Sequence, residues 1–160
     1  MLLPLELFVM LVLANGTPVV AARLFGRLGN WPVDGGRSWR DGRPLFGHSK
    51  TWRGLLAGIL ACSLFSAWIG LEWLFGALFG LLALMGDLLS SFVKRRLGLK
   101  SSARALGLDQ VPESLLPMLL AWSWVPVSGG QALAVAVLFA LSNILISPLL
   151  YRLGIRSHPH

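Results

Sequence analysis

The stretch Trp73-Leu-Phe-Gly-Ala-Leu-Phe-Gly-Leu-Leu-Ala-Leu-Met-Gly-Asp-Leu-Leu-Ser-Ser-Phe-Val-Lys-Arg-Arg96 decides the fold. Its apolar part, residues 73–93, has the length of about 20 residues that a helix needs to cross hydrocarbon. It ends in an acid, two hydroxyls and three cations, a poor choice for a segment meant only to span lipid. On a 3.6-residue helix Asp87, Ser90, Ser91 and Lys94 fall at i, i+3, i+4 and i+7 and share one face. An ionised Asp near membrane depth is costly, so Asp87 is expected to face a bundle interior or a watery cavity, beside a cation or a metal. The cations taken alone would equally suit a helix whose basic end snorkels to the headgroups.

Four further apolar segments fall at about residues 2–22, 54–71, 111–127 and 131–153. With 55% hydrophobic and 13% charged residues in 160, and a mean hydropathy of +0.69, the chain is not an ordinary soluble domain. The expected fold is all-α: a polytopic integral membrane protein with about five transmembrane helices in a single domain. Asn15, Gly16 and Pro18 interrupt the first segment, and Pro112, Pro117 and Pro126 the fourth, so both are expected to be kinked or partly re-entrant. The N-terminus lacks a basic region, and Asn15-Gly16-Thr17-Pro18 is no small-residue cleavage site, so the first helix is expected to stay.

Charge placement orients the chain. Of fourteen Lys and Arg, seven lie in Arg23–Arg53, five in Lys94–Arg104 and two at Arg152 and Arg156. Five crossings put these regions on one side, which the positive-inside rule makes cytoplasmic, with the N-terminus outside and the C-terminus inside. The net charge of +7 borders lipid, where it meets anionic headgroups or phosphorylated substrates, so nucleic acid is not an expected partner. Cys62 is the only cysteine, which excludes an intramolecular disulfide and a thiolate metal cluster. Gly54-x-x-x-Gly58 and Gly76-x-x-x-Gly80 offer small faces for close helix packing. Trp68, Trp73, Trp122 and Trp124 suit interface anchors.

Two loops carry the chemistry. In Asn30–Gly54, two Asp-Gly turns precede Gly47-His-Ser-Lys-Thr51, which marks tight backbone geometry. Lys50, Thr51 and Arg53 come where the second helix begins, so cations, a hydroxyl and free N–H groups would converge on one anion. The alternative is a solvated basic loop. His48 reads as a loop hydrogen-bonder, because no second His or Cys stands at ligand spacing. His158 and His160 in the tail carry less information. In the second loop Asp109 and Glu113 are four apart at the mouth of the fourth helix. With Asp87 they form an oxygen-donor set suited to Mg²⁺, or else they cap the helix. Asn15 and Asn143 are polar groups inside apolar helices, readable as interhelical hydrogen bonds or as substrate contacts.

The order Ala14-Asn-Gly-Thr-Pro18, Asp34-Gly-Gly, Asp41-Gly-Arg, Phe46-Gly-His-Ser-Lys-Thr-Trp-Arg-Gly54, Gly86-Asp-Leu-Leu-Ser-Ser-Phe-Val-Lys-Arg-Arg-Leu-Gly98 and Asp109-Gln110 resembles the CDP-archaeol synthase family. That family is related to the CDP-diacylglycerol synthases, which share a Lys-Thr-Trp block and an Asp followed by Lys-Arg. The resemblance implies a CTP-dependent cytidylyltransferase that acts on a membrane lipid phosphate with Mg²⁺, giving a CDP-lipid and pyrophosphate. The family's pattern has a second Asp three residues after the first, as Asp-Gln-x-Asp. Here that position is Pro112, and Glu113 follows.

On this reading Asp87, Lys94 and Asp109 are the expected catalytic residues, and Asp87, Asp109 and Glu113 the expected Mg²⁺ ligands. Lys50, Arg53, Lys94, Arg95 and Arg96 are expected to hold the CTP and lipid phosphates, Thr51 and Ser91 to bind substrate, and Asn15 and Asp34 to recognise the lipid headgroup or cytosine. Expected partners are CTP, the lipid phosphate and membrane lipids, and a homodimer is left open. The rivals are a transporter and a non-enzymatic lipid-binding protein. The first lacks the paired broken helices of repeat architectures, and the second has no use for three carboxylates beside the basic loops.

Overall fold

A computed structural model describes residues 2–152 apart from Ser101, Ser102, Arg104 and Leu106, with side chains as far as Leu145. Arg104, Leu153, Arg156, His158 and His160 lie outside the described residues. Five helices form: α1 (Leu3–Phe25), α2 (Trp52–Trp68), α3 (Trp73–Arg96), α4 (Gln110–Trp124) and α5 (Gly129–Arg152). Among the described residues there is no strand, only isolated bridges between Pro32 and Thr51 and between Ser38 and Pro44. The all-helical expectation holds. α1 and α3 are long and apolar enough to cross a membrane, while α2 and the described part of α5 are shorter apolar helices.

The helix ends differ from expectation where local hydrogen bonding intervenes. α2 starts at Trp52 instead of Gly54, because the Thr51 hydroxyl accepts the Gly54 N–H at 3.2 Å. It stops at Trp68 because Gly70 takes φ +83° and the Leu71 N–H returns to the Ser66 carbonyl. α3 continues past Val93 to Arg96 and ends the same way: Gly98 at φ +76°, Leu99 N–H on the Lys94 carbonyl. α4 ends at Trp124 and not at Val127, since Pro126 forces Val125 into extended backbone. α5 starts at Gly129, two residues before the expected Gln131, because Ser128 and Gln131 cap one another reciprocally. Pro18 and Pro117 sit inside continuous helices.

Each helix packs on the next in chain order, α5 closes on α1, and α3 also touches α1 across the ring. The apolar core fills one half of this ring: Leu7, Met10 and Leu11 of α1, Phe75 and Phe79 of α3, Met118 of α4 and Phe139 of α5. Outward-facing Leu56, Leu60 and Leu64 of α2 and Leu133, Val137 and Leu141 of α5 are exposed yet apolar. Helices apolar on both faces need a lipid surround. The other half of the ring, where α2 begins and α3 ends, is polar and hollow.

Candidate active site

The hollow is a cavity of about 510 Å³. α3 presents Leu84, Asp87, Leu88, Ser91, Lys94 and Arg95 to it, the stripe its periodicity dictates. Ser90, expected on that face, turns instead to the Gly86 carbonyl at 2.9 Å. α1 contributes Asn15, Pro18, Val19 and Ala22; α2 and the turn before it contribute Lys50, Thr51, Arg53 and Gly54. Glu113 and Asn143 come from α4 and α5. The wall also includes Asn30, Phe46, His48 and Ser49 of the first loop, of which Asn30 carried no sequence signal at all.

Lys50 Nζ donates to both Asp87 oxygens, at 2.7 and 2.6 Å. Lys94 Nζ pairs with Asp109 Oδ1 at 2.5 Å and donates to the Ala103 carbonyl. Asn143 Nδ2 donates to Glu113 Oε1 at 3.0 Å. Lys94 and Arg95 are only 8% and 6% exposed, and a cation so removed from water requires counter-charge. Four cations line the cavity against two carboxylates, and the Nε atoms of Arg53 and Arg95 are buried with no hydrogen-bond partner. Such a cavity favours anions.

Several expected site residues are brought together here: Asn15, Lys50, Thr51, Arg53, Asp87, Ser91, Lys94, Arg95 and Glu113. Two are not. Asp34 accepts the backbone N–H groups of Gly36, Phe46 and Gly47 at 2.9–3.0 Å, so it folds the first loop and does not line the cavity. Burial raises its pKa, but these N–H bonds outweigh that and hold the carboxyl below its ordinary 3.8. Arg96 likewise points away, its guanidinium bonded to Asp41 Oδ1 and the Arg43 and Pro44 carbonyls. Arg43 answers by donating to the carbonyls of Arg95 and Arg96 at the C-terminal end of α3. Together these bonds clasp the loop to α3, and Trp39 packs edge-on against Phe92 at 5.6 Å.

The three-carboxylate set also needs correction. Among the described residues no three of His, Cys, Asp and Glu stand where one metal ion would bind them. Asp109 is drawn off by Lys94 and by the Ala105 N–H at 2.9 Å, outside the cavity wall. Asp87 and Glu113 both line the cavity, and Glu113 lies within electrostatic reach of Asp87, Lys50 and Asp109. Two carboxylates fit Mg²⁺, which takes its remaining oxygens from phosphates and water. Pro112, at the position of the family's second Asp, packs its backbone against Gly86, and Glu113 is the carboxylate that lines the cavity.

The family model for CDP-archaeol synthase (CarS-like) matches residues 2–72 and 62–160. A CDP-archaeol synthase of Thermococcus gammatolerans is 34% identical over 157 residues, covering 91% of this chain and 88% of that one. One from Methanosphaerula palustris is 38% identical over 152 residues, covering 84% and 87%. A solved intramembrane enzyme for archaeal membrane lipid biosynthesis superposes with a TM-score of 0.66 at 33% identity, over 86% of this chain and 90% of that one. This chain therefore belongs to the CDP-archaeol synthase family.

Proposed function

We propose that the cavity is where this chain, as a CTP-dependent cytidylyltransferase, joins CTP to a membrane lipid phosphate. A lipid phosphate oxygen attacks the α-phosphorus of CTP; the new P–O bond forms as the bond to the bridging oxygen breaks, and pyrophosphate leaves. No protein nucleophile is required. The barrier is lowered by holding two anions in line and offsetting their charge. Lys50, Arg53, Lys94 and Arg95 hold the phosphates, with Arg supplying bidentate contacts. Asp87 and Glu113 would hold Mg²⁺, which supplies charge neutralisation across the nucleotide phosphates. Lys50 shares the Asp87 carboxylate and keeps its charge balanced. Asn15, beside the apolar wall of Pro18, Val19 and Ala22, is suited to the lipid headgroup. Asp109 acts through Lys94, holding that ammonium at the cavity edge.

The observation that carries this reading is the excess of cations, two of them buried, around one hollow that also holds two carboxylates. The clustering of Lys and Arg in the first two loops and the tail supports five crossings with the cavity facing the cytoplasm. The test is release of labelled pyrophosphate from γ-labelled CTP by protein purified in detergent, with phosphatidic acid and an archaeal-type ether phosphate offered in parallel. Mg²⁺-dependent turnover is expected with at least one, reduced about 100-fold or more by Asp87→Asn while helix content stays unchanged. Silence with both lipids from a folded protein would refute the substrate class, and full turnover by Asp87→Asn would refute the metal assignment.

A further inference from the structure

We infer that Asn143 is a positioning residue, which fixes the Glu113 carboxylate so that it faces the cavity. This rests on the Mg²⁺ reading above. Asn143 is the one residue of α5 that lines the cavity among the described residues. Its Nδ2 donates to Glu113 Oε1 at 3.0 Å, across the α4–α5 packing. Glu113 itself is 5% exposed and lies one turn before Pro117, in a helix whose inward face also buries Gln110 and Ser114.

A glutamate has one more rotatable bond than an aspartate, so its carboxylate has more orientations to lose before it can serve as a ligand. Pro112 cannot assist, since its carbonyl oxygen stands 2.3 Å from where a Cβ on Gly86 would lie. The backbone there is pressed on α3. A donor on Oε1 removes the rotational freedom and leaves Oε2 without a donor among the described residues, in a cavity whose wall Asp87 shares. Partners of this kind orient metal-ligating carboxylates, and their loss commonly lowers metal affinity about 10–100-fold.

Mn²⁺ binding followed by electron paramagnetic resonance tests this, on the full chain in detergent with CTP present and no lipid phosphate, so that no turnover occurs. Asn143→Ser is expected to weaken Mn²⁺ binding about 10–100-fold. In an Glu113→Ala background the same substitution is expected to change Mn²⁺ binding less than twofold. Asn143→Leu, close in volume and compatible with lipid, is read in parallel, so that a folding defect in one variant does not decide the matter. Unchanged Mn²⁺ binding in a folded Asn143 variant overturns the inference, as does an equal loss with and without Glu113. A parent protein that binds no Mn²⁺ with CTP overturns the metal reading as well, which separates the two failures.

Discussion

Gly86→Ala is a one-carbon change that tests whether the α3–α4 contact sets the geometry of the site. A Cβ there would lie 2.3 Å from the Pro112 carbonyl oxygen, 2.4 Å from its carbon and 2.6 Å from the Glu113 nitrogen. All three are backbone atoms, so no side chain can swing aside. Reaching an ordinary contact of about 3.5 Å requires α4 to retreat by about 1 Å. Overpacking of this kind costs about 1–3 kcal/mol of stability. Glu113 moves with the retreating backbone, away from Asp87 on α3. A 1 Å misplacement of catalytic groups costs about 100-fold in rate, so kcat should fall by that order. Two control variants separate stability from catalysis. Gly76→Ala meets the Cys62 carbonyl at 2.4 Å, outside the cavity, and should lower thermal stability similarly while leaving kcat within a few-fold. Gly16→Ala meets nothing within 4 Å and should gain about 0.5–1 kcal/mol of helix stability. The assays are the thermal unfolding transition in detergent and pyrophosphate release. Parent-like kcat in Gly86→Ala, or an equal kcat loss in Gly76→Ala, would refute the reasoning.

Asp34→Ala should destabilise the first loop by about 1.5–3 kcal/mol, the scale of hydrogen bonds to a charged acceptor, read as faster proteolysis within residues 30–50. Because the folded pKa of Asp34 lies below its unfolded value, its contribution is fully present above about pH 4 and is lost as pH falls through the folded value. The parent and Asp34→Ala proteins should therefore converge in stability only in acid, and a difference that grows on acidification would contradict this. Arg96→Lys replaces a guanidinium that reaches three acceptors with a single ammonium. Loss of about 1 kcal/mol of loop order should raise KM for CTP up to about fivefold with kcat nearly unchanged; a kcat collapse with unaltered KM would instead argue that Arg96 touches substrate.

The sequence determined the helical, lipid-seeking character of the chain, because apolar segments of about 20 residues have few alternatives once their backbone must be satisfied internally. It also determined the chemistry of the site, since Lys50, Arg53, Asp87, Lys94 and Arg95 stand at spacings that a helix or its cap converts directly into one face. Helix ends were readable to within a few residues and failed where caps at Thr51 and Ser128 or Schellman turns at Gly70 and Gly98 decided the matter. Only the tertiary structure decided which charges belong to the cavity. Asp34 and Arg96 carry the same side chains as residues that line the cavity, but their partners lie 12 and more than 50 residues away in the chain, and those partners hold them to the loop. Asp109 was drawn off the cavity wall by Lys94, and Glu113 was joined to Asn143 across 30 residues. Periodicity orders residues along one helix; which carboxylate meets which cation across helices depends on packing distances that no spacing in the sequence encodes.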